Sequence, residues 1–210
     1  GCYHWRTSSP SESRRIPWEG DGAFSPDGRT FALKGPTDRL QLHDAASWER
    51  LREMEADPSD QREWSSNPVF SSDGATLAGS VEKGVRLWDA ASGRALQTVT
   101  AMKPHTCHLA LSHNGRLLAG VLEMKVLICE IASDRTVLEL DMGKAPTVEV
   151  VFSPDDRLLA TLGGGQTKLW EVSTGTEVCR LEGHRAEVRC LAFAPHGLRL
   201  ATGSEDGTVL

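Results

Sequence analysis

Short apolar runs alternate with polar turns along the chain, and residues 147–184 (TVEVVFSPDDRLLATLGGGQTKLWEVSTGTEVCRLEGH) show this pattern most completely. An apolar run, a Ser-Pro-Asp turn and a second apolar run come first. A Gly-rich turn, an alternating run ending in Leu-Trp-Glu, a Ser-Thr-Gly turn and a last short run into Gly-His follow. Runs of this length between turn residues predict four short strands. Four such strands cannot bury both faces alone, so neighbours of the same kind are predicted.

The same pattern recurs along the whole chain. An apolar residue ends the first run and a turn residue follows four positions later, at Phe24/Gly28, Phe70/Gly74, Leu111/Gly115, Phe152/Asp156 and Phe193/Gly197. These turn residues lie 46, 41, 41 and 41 positions apart. The end of the third run recurs with a similar period, at Leu42-His43-Asp44, Leu87-Trp88-Asp89, Ile128-Cys129-Glu130 and Leu169-Trp170-Glu171. A period near 41 with a Trp-Asp ending and a Gly-His lead-in is typical of one propeller blade per repeat.

These motifs resemble those of the WD-repeat (WD40) family over nearly all of the chain, with Phe70–Gly93 and Phe152–His184 as the best matches. The resemblance implies an all-β fold, a β-propeller of four-stranded antiparallel blades. His43 and Cys129 take the Trp position in two degenerate repeats. The Arg/Ala/Gly-rich style of the repeats is similar to bacterial examples, in which propellers are attached to other domains such as protein kinases.

The family resemblance also implies a buried network that joins a Gly-His histidine, a turn Asp, a strand Ser or Thr and the Trp. The residues expected in such networks here are His184, Thr202 and Asp206 in the last repeat, and Trp88, Asp89 and Trp170 in earlier ones. Gln61, Met102 and Gly143 take the histidine position in other repeats, so uniform blades are not expected.

The repeats predict one domain over residues 1–210. Its repeats are expected at about 1–17 (partial), 20–55, 66–100, 107–140, 147–182 and 186–210 (partial), which gives four whole blades and parts of one or two more. The N- and C-terminal strands could complete one blade of a five-bladed ring. Since both ends fall inside predicted strands, we instead expect an arc of a larger ring in a longer protein. Phe24, Phe70, Phe152 and Phe193 are expected to be buried between sheets.

One irregularity, at Glu55–Pro68, accounts for the single interval longer than 41. It is polar, carries two prolines and maps to a loop between blades. Such insertions often collect on a binding face, although loop-length tolerance alone would also permit one.

Composition narrows the possible partners. The chain is 39% hydrophobic and 25% charged with a net charge of −6, which argues against non-specific nucleic-acid binding. It has no apolar run of membrane-spanning length, so no membrane partner is expected. Five cysteines without C-x-x-C spacing favour free thiols and a cytoplasmic location. A zinc site from His105, Cys107 and His108 is the alternative, but two of these side chains would point to opposite faces of a strand. We therefore expect no metal.

Catalytic motifs are also missing from the sequence. The sequence has no G-x-S-x-G, H-E-x-x-H, phosphate-binding loop or paired C-x-x-C motif. Gly163-Gly164-Gly165 lacks the Lys-Ser/Thr that phosphate binding needs, and Asp155-Asp156 occupies the repeated turn, where Asp suits the backbone. We expect no catalytic residues and no cofactor.

A candidate binding patch follows from the register. Ten positions before each turn residue lie Trp18, Trp64, His105, Pro146 and Glu187. In a propeller these positions share one face near the central channel. Trp18, Trp64, His105 and Glu187 could form a partner-binding patch, since Trp is enriched at interface hot spots. The two tryptophans could instead fill space between blades.

The leading hypothesis is a non-catalytic scaffold whose loops bind protein or peptide partners without a small-molecule cofactor, as the regulatory or docking part of a larger multidomain protein. This is what the WD-repeat resemblance implies. An enzyme with a substrate site at the channel mouth is the alternative, with Glu187 and His105 as the sole candidates for acid/base groups. A third hypothesis is a purely structural set of spacer blades.

Overall fold

The computed structural model describes residues 2–6, 9–16, 22–35, 39–57, 68–143, 147–197 and 199–210, with the backbone alone at 2–6, 9–16, 147 and 148. This part of the chain forms twenty β-strands. It contains no helix of the length and apolar character that a membrane span requires.

Each strand pairs antiparallel with the next in its sheet. A hairpin comes first, with β1 (Cys2–Arg6) and β2 (Ser9–Ile16). Blade 1 comprises β3 (Gly22–Phe24), β4 (Thr30–Lys34), β5 (Leu40–Asp44) and β6 (Arg50–Glu53). Blade 2 comprises β7 (Val69–Phe70), β8 (Thr76–Val81), β9 (Gly84–Asp89) and β10 (Ala95–Val99).

The later sheets repeat this order. Blade 3 comprises β11 (Cys107–Leu111), β12 (Leu117–Leu122), β13 (Lys125–Glu130) and β14 (Arg135–Asp141). Blade 4 comprises β15 (Thr147–Phe152), β16 (Leu158–Gly163), β17 (Gln166–Glu171) and β18 (Thr176–Leu181). Blade 5 has β19 (Val188–Phe193) and β20 (Leu200–Ser204). Four complete four-stranded sheets confirm the predicted all-β fold of WD40-like blades.

The chain's last residues continue blade 5 in the same order. Val209 forms a bridge with Gly203 of β20. Thr202 and Leu210 exchange backbone hydrogen bonds of 2.9 and 3.0 Å. Residues 208–210 therefore lie beside β20 where β17 lies beside β16 in blade 4.

The cores lie between the blades. The first strands of blades 1 to 5 contact one another in succession. Leu40, Leu42 and Met54 of blade 1 pack with Leu77 and Trp88 of blade 2. Val85, Val99 and Met102 pack with Leu118, Leu127 and Cys129 of blade 3. Between blades 3 and 4, Val126 and Ile128 pack with Phe152, Leu159 and Trp170. Between blades 4 and 5, Ala160 and Leu162 pack with Val188 and Leu191. Each blade thus covers a face of the next.

One of the four predicted buried phenylalanines is exposed. Phe70 and Phe152 are 9% and 1% exposed and Phe193 is half-buried, but Phe24 is 53% exposed. Its neighbour Ala23 packs into the core shared with blade 2. Because successive strand residues point to opposite faces, Phe24 lies on the face that blade 2 does not cover. Its ring contacts Phe31 there, with 4.6 Å between centroids.

The turns after the first strands are linked from blade to blade. Asp155 accepts hydrogen bonds from Ser153 Oγ (2.6 Å) and the Arg157 amide (3.1 Å) within its own turn, so it serves the turn backbone. Asp156 has a φ of 59° at a position where the other blades have glycine. Its carboxylate accepts the amides of His113 (2.7 Å) and Asn114 (2.9 Å) in the turn of blade 3. The Asp155-Asp156 pair therefore stabilises turns.

A second set of links joins the blades at the outer rim. The Glu55 amide, just after β6, donates to Gly93 O (2.8 Å) in the turn between β9 and β10. Thr100 Oγ1 and the Ala101 amide, just after β10, donate to the Asp134 carboxylate at 2.6 and 2.9 Å. The outer strand of one blade is thus tied to the outer turn of the next.

Replacing Phe152 with alanine should cost about 3–5 kcal/mol in the free energy of unfolding, because its ring is buried between blades 3 and 4. Phe24→Ala is the matched control and should cost less than about 1 kcal/mol, because half of that ring is already in water. Urea unfolding followed by tryptophan fluorescence measures both changes. Equal losses would contradict this placement of the two rings.

A series at Asp156 should separate the inter-blade hydrogen bonds from backbone strain. Asp156→Ala loses both acceptors and keeps the positive φ, so it should cost about 1–3 kcal/mol. Asp156→Gly loses the bonds but relieves strain of about 1 kcal/mol or more, so it should fall between alanine and wild type. Asp156→Asn keeps an acceptor and tolerates this φ, and should lie nearest to wild type. Urea denaturation gives the order, and alanine more stable than asparagine would refute it.

Candidate functional site

Two members of the predicted binding patch are described, and both lie in exposed loops that precede an inner strand. His105 precedes β11 and Glu187 precedes β19. Trp18 and Trp64 lie outside the described residues, as does Pro146. The patch as a whole therefore remains a prediction.

The loop that carries His105 is anchored at its base. The Thr106 amide and Oγ1 both donate to Lys103 O, at 3.2 and 2.7 Å, and Ser80 Oγ donates to Thr106 O. Thr106 is fully buried, while His105 is exposed with a φ of 67°. A turn anchored by the buried Thr106 thus presents the imidazole to solvent.

Glu187 belongs to an exposed charged group at the entrance to β19. The Arg189 guanidinium pairs with Glu187 (3.0 Å) and with Glu205 (2.6 Å). The carboxylates raise the pKa of Arg189 above its ordinary value, with the Glu205 hydrogen bond as the largest cause. Ion pairs exposed like this add little to stability. Glu187 is thus paired with Arg189, whereas the enzyme hypothesis pairs it with His105.

The predicted network residues of the last repeat lie together. His184 Nε2 is 2.9 Å from Thr202 Oγ1, and His184 Nδ1 is 3.2 Å from Asp206 Oδ2. Asp206 also accepts from the Arg185 amide (2.7 Å) and from the amide and Oγ1 of Thr208. These hydrogen bonds, with Thr208 Oγ1 the largest contributor, hold the pKa of Asp206 well below its usual range. The group ties the loop before β19 to the turn after β20.

The other expected network residues make separate contacts. Trp170 Nε1 donates to Thr161 Oγ1 (2.9 Å) inside blade 4, whereas Trp88 Nε1 donates across the blade boundary to Glu55 O (2.8 Å). Asp89 accepts the Ser92 amide (2.7 Å) and so closes the turn after β9. None of these three contacts involves a histidine.

No cluster of three or more His, Cys, Asp or Glu side chains that could hold a metal occurs among the described residues. That region includes His105, Cys107 and His108, the set considered for zinc. Burial raises the pKa of the Cys107 and Cys129 thiols. Both therefore stay protonated near neutral pH, and a protonated thiol is a poor nucleophile.

The stabilising effect of Asp206 should depend on pH. Because its folded-state pKa is depressed, its stabilisation is present above the unfolded-state pKa of about 3.9 and is lost as the pH falls towards the folded value. Wild type should therefore unfold at a higher urea concentration than Asp206→Asn at pH 7, and the gap should narrow below about pH 4. Urea midpoints from pH 7 to pH 3 measure it. A gap that stays constant over that range would rule out this role.

Comparison with known proteins agrees with these observations. A family model described as "WD domain, G-beta repeat" matches residues 175–210. The matched span contains β18 of blade 4 together with β19, β20 and residues 208–210 of blade 5. No curated protein matches the chain. WD40 repeats generally mediate protein–protein interactions and are typically non-catalytic. With a WD40 repeat at residues 175–210 and WD40-like blades before it, the chain is consistent with a WD-repeat protein.

Proposed function

We propose that the chain is a non-catalytic interaction scaffold, the docking part of a larger protein, and that the loops before its inner strands bind a protein or peptide partner. The observation that carries the proposal is the anchored loop at Lys103–Thr106. Its base is fixed by buried hydrogen bonds while His105 remains exposed. A loop that is already ordered loses little conformational entropy on binding. The broad faces of the blades pack against neighbouring blades, so the loops are the surfaces available to contact a partner.

The contact residues in this proposal are His105, Glu187, Trp18 and Trp64. They share one register position, before four of the five inner strands. An exposed imidazole and a carboxylate held by Arg189 would supply hydrogen bonds. Two tryptophans would supply apolar contact area, as aromatic side chains do at interface hot spots. We further propose a cytoplasmic setting, in keeping with the free state of the four cysteines whose side chains are described.

Site-specific photo-crosslinking tests which face binds. A photoreactive residue at position 105 or 187 should form covalent adducts with partner proteins in cells that express the chain. The same residue at Ala132, which is exposed in the turn between β13 and β14, is the control and should form none. Adducts at 132 alone would place binding on another face.

Tryptophan variants complete that experiment. Trp18→Ala and Trp64→Ala should reduce the adduct yield at 105 and 187 while leaving the urea midpoint near the wild-type value. Loss of stability with an unchanged adduct yield would show that the two rings are packing residues.

A further inference from the structure

A groove lies at the rim between blades 1 and 2. It has a volume of about 380 Å³ and runs between residues 55–57, which leave blade 1, and strand β10, the outermost strand of blade 2. Arg86 of β9 lies at its floor, and Leu96 and Thr98 of β10 form one wall. The groove is separate from the loops that carry His105 and Glu187.

Arg86 is a buried cation with fixed partners. Its side chain is 5% exposed, its Nε donates to Thr98 Oγ1 (3.1 Å), and Nη2 pairs with Asp57 Oδ2 (3.4 Å). A buried guanidinium is costly unless it is paired. Because it is buried and paired, Arg86 holds the Asp57 carboxylate in place. At the same register in blades 3 and 4 the residues are Leu127 and Lys168.

The charged atoms that a ligand can reach are carboxylates. The Asp57 side chain is 40% exposed, eight times the fraction for Arg86. Glu55 is exposed as well, and its Oε2 accepts the Ala95 amide at 2.9 Å. Leu96, 57% exposed, adds an apolar surface beside them. A ligand thus meets the Glu55 carboxylate, the exposed part of Asp57, which is paired with Arg86, and an aliphatic wall.

This lining fits a basic side chain. A guanidinium matches a carboxylate in a planar, two-pronged geometry, and the methylenes of Arg or Lys pack well on an aliphatic surface. The net charge of −6 attracts positively charged partners at long range. A carboxylate or phosphate ligand would instead be repelled by Glu55 and Asp57 before it reached the buried Arg86.

We infer that the groove bounded by Glu55, Asp57 and Leu96 binds an arginine or lysine side chain on an exposed segment of a protein partner. The inference rests on the proposed interaction function and adds a second contact, of basic chemistry, at the rim. The next rim joint differs in character, since Met102 is fully buried and Leu127 is 2% exposed there. The joint between blades 2 and 3 therefore lacks the charged lining of the joint between blades 1 and 2.

Titration of the ¹⁵N-labelled chain with acetyl-Ala-Arg-Ala-amide, followed by NMR, tests the inference. Saturable shifts are expected in the amides of residues 55–57 and 95–98. The same peptide with citrulline, which is neutral and nearly isosteric with arginine, should give none. The Glu55→Gln/Asp57→Asn double variant should bind the arginine peptide at least about tenfold more weakly. Glu139→Gln removes an exposed carboxylate on β14 and is the matched control, which should bind like wild type.

Several results would overturn the inference. These are no saturable shift with the arginine peptide, equal shifts with citrulline, or unchanged affinity in the double variant. Tighter binding of acetyl-Ala-Glu-Ala-amide at the same amides would show that Arg86 makes the groove an anion site. The photo-crosslinking yield at 105 and 187 in the wild-type chain separates the two ideas. Wild-type adducts without peptide binding leave the scaffold in place and remove the groove, and peptide binding without adducts does the reverse.

Discussion

The four-stranded sheets of this protein have two apolar faces, and a sheet of four short strands cannot cover both by itself. Covering one blade with the next is therefore the constraint on which the structure depends. Trp88 and Phe152 are both 1% exposed, and each is covered by the blade before its own. The links between turns and at the rim matter because they fix the position of one covering sheet on another. Without that stacking, no loop would be held in register with its neighbour.

The polar contacts inside the blades vary while the stacking persists. In blade 4, Trp170 donates to Thr161. In blade 2 the position of Thr161 is taken by Gly79, which has no hydroxyl, and Trp88 donates to Glu55 O instead.

In blade 3, none of the three network positions carries the expected histidine, Ser/Thr or tryptophan. The corresponding positions are Met102, Gly120 and Cys129, and a Cβ on Gly120 would collide with Thr106 and lie 3.5 Å from Met102 Sδ. Sulfur side chains pack where the other blades place hydrogen bonds. An apolar filling of suitable volume and a satisfied polar network both avoid a buried unpaired group, so either can serve.

The repeat period and turn residues were enough to predict the blades, because both are local properties that recur. Phe24 could not be placed in the same way, since burial depends on what covers the other face of its blade. Asp156 carried a signal that sequence reasoning missed. It is the one non-glycine among the repeated turn residues. Because a positive φ is strained for such a residue, this exception predicts that its side chain makes a stabilising contact. Arg86 carried a similar signal, as an arginine between apolar residues in a strand, but its partner Asp57 follows a different blade and no local pattern joins them.

The residues that the WD40 match covers bear on how repeats can be gained or lost in such a chain. The matched segment starts just before the outer strand of blade 4 and continues into the inner strands of blade 5, so it begins inside one sheet and crosses into the next. Gain or loss of one whole unit exchanges one outer strand for another, and every internal ladder of hydrogen bonds is completed again. Gain of a whole unit therefore preserves the hydrogen-bond ladders of the sheets on either side of it.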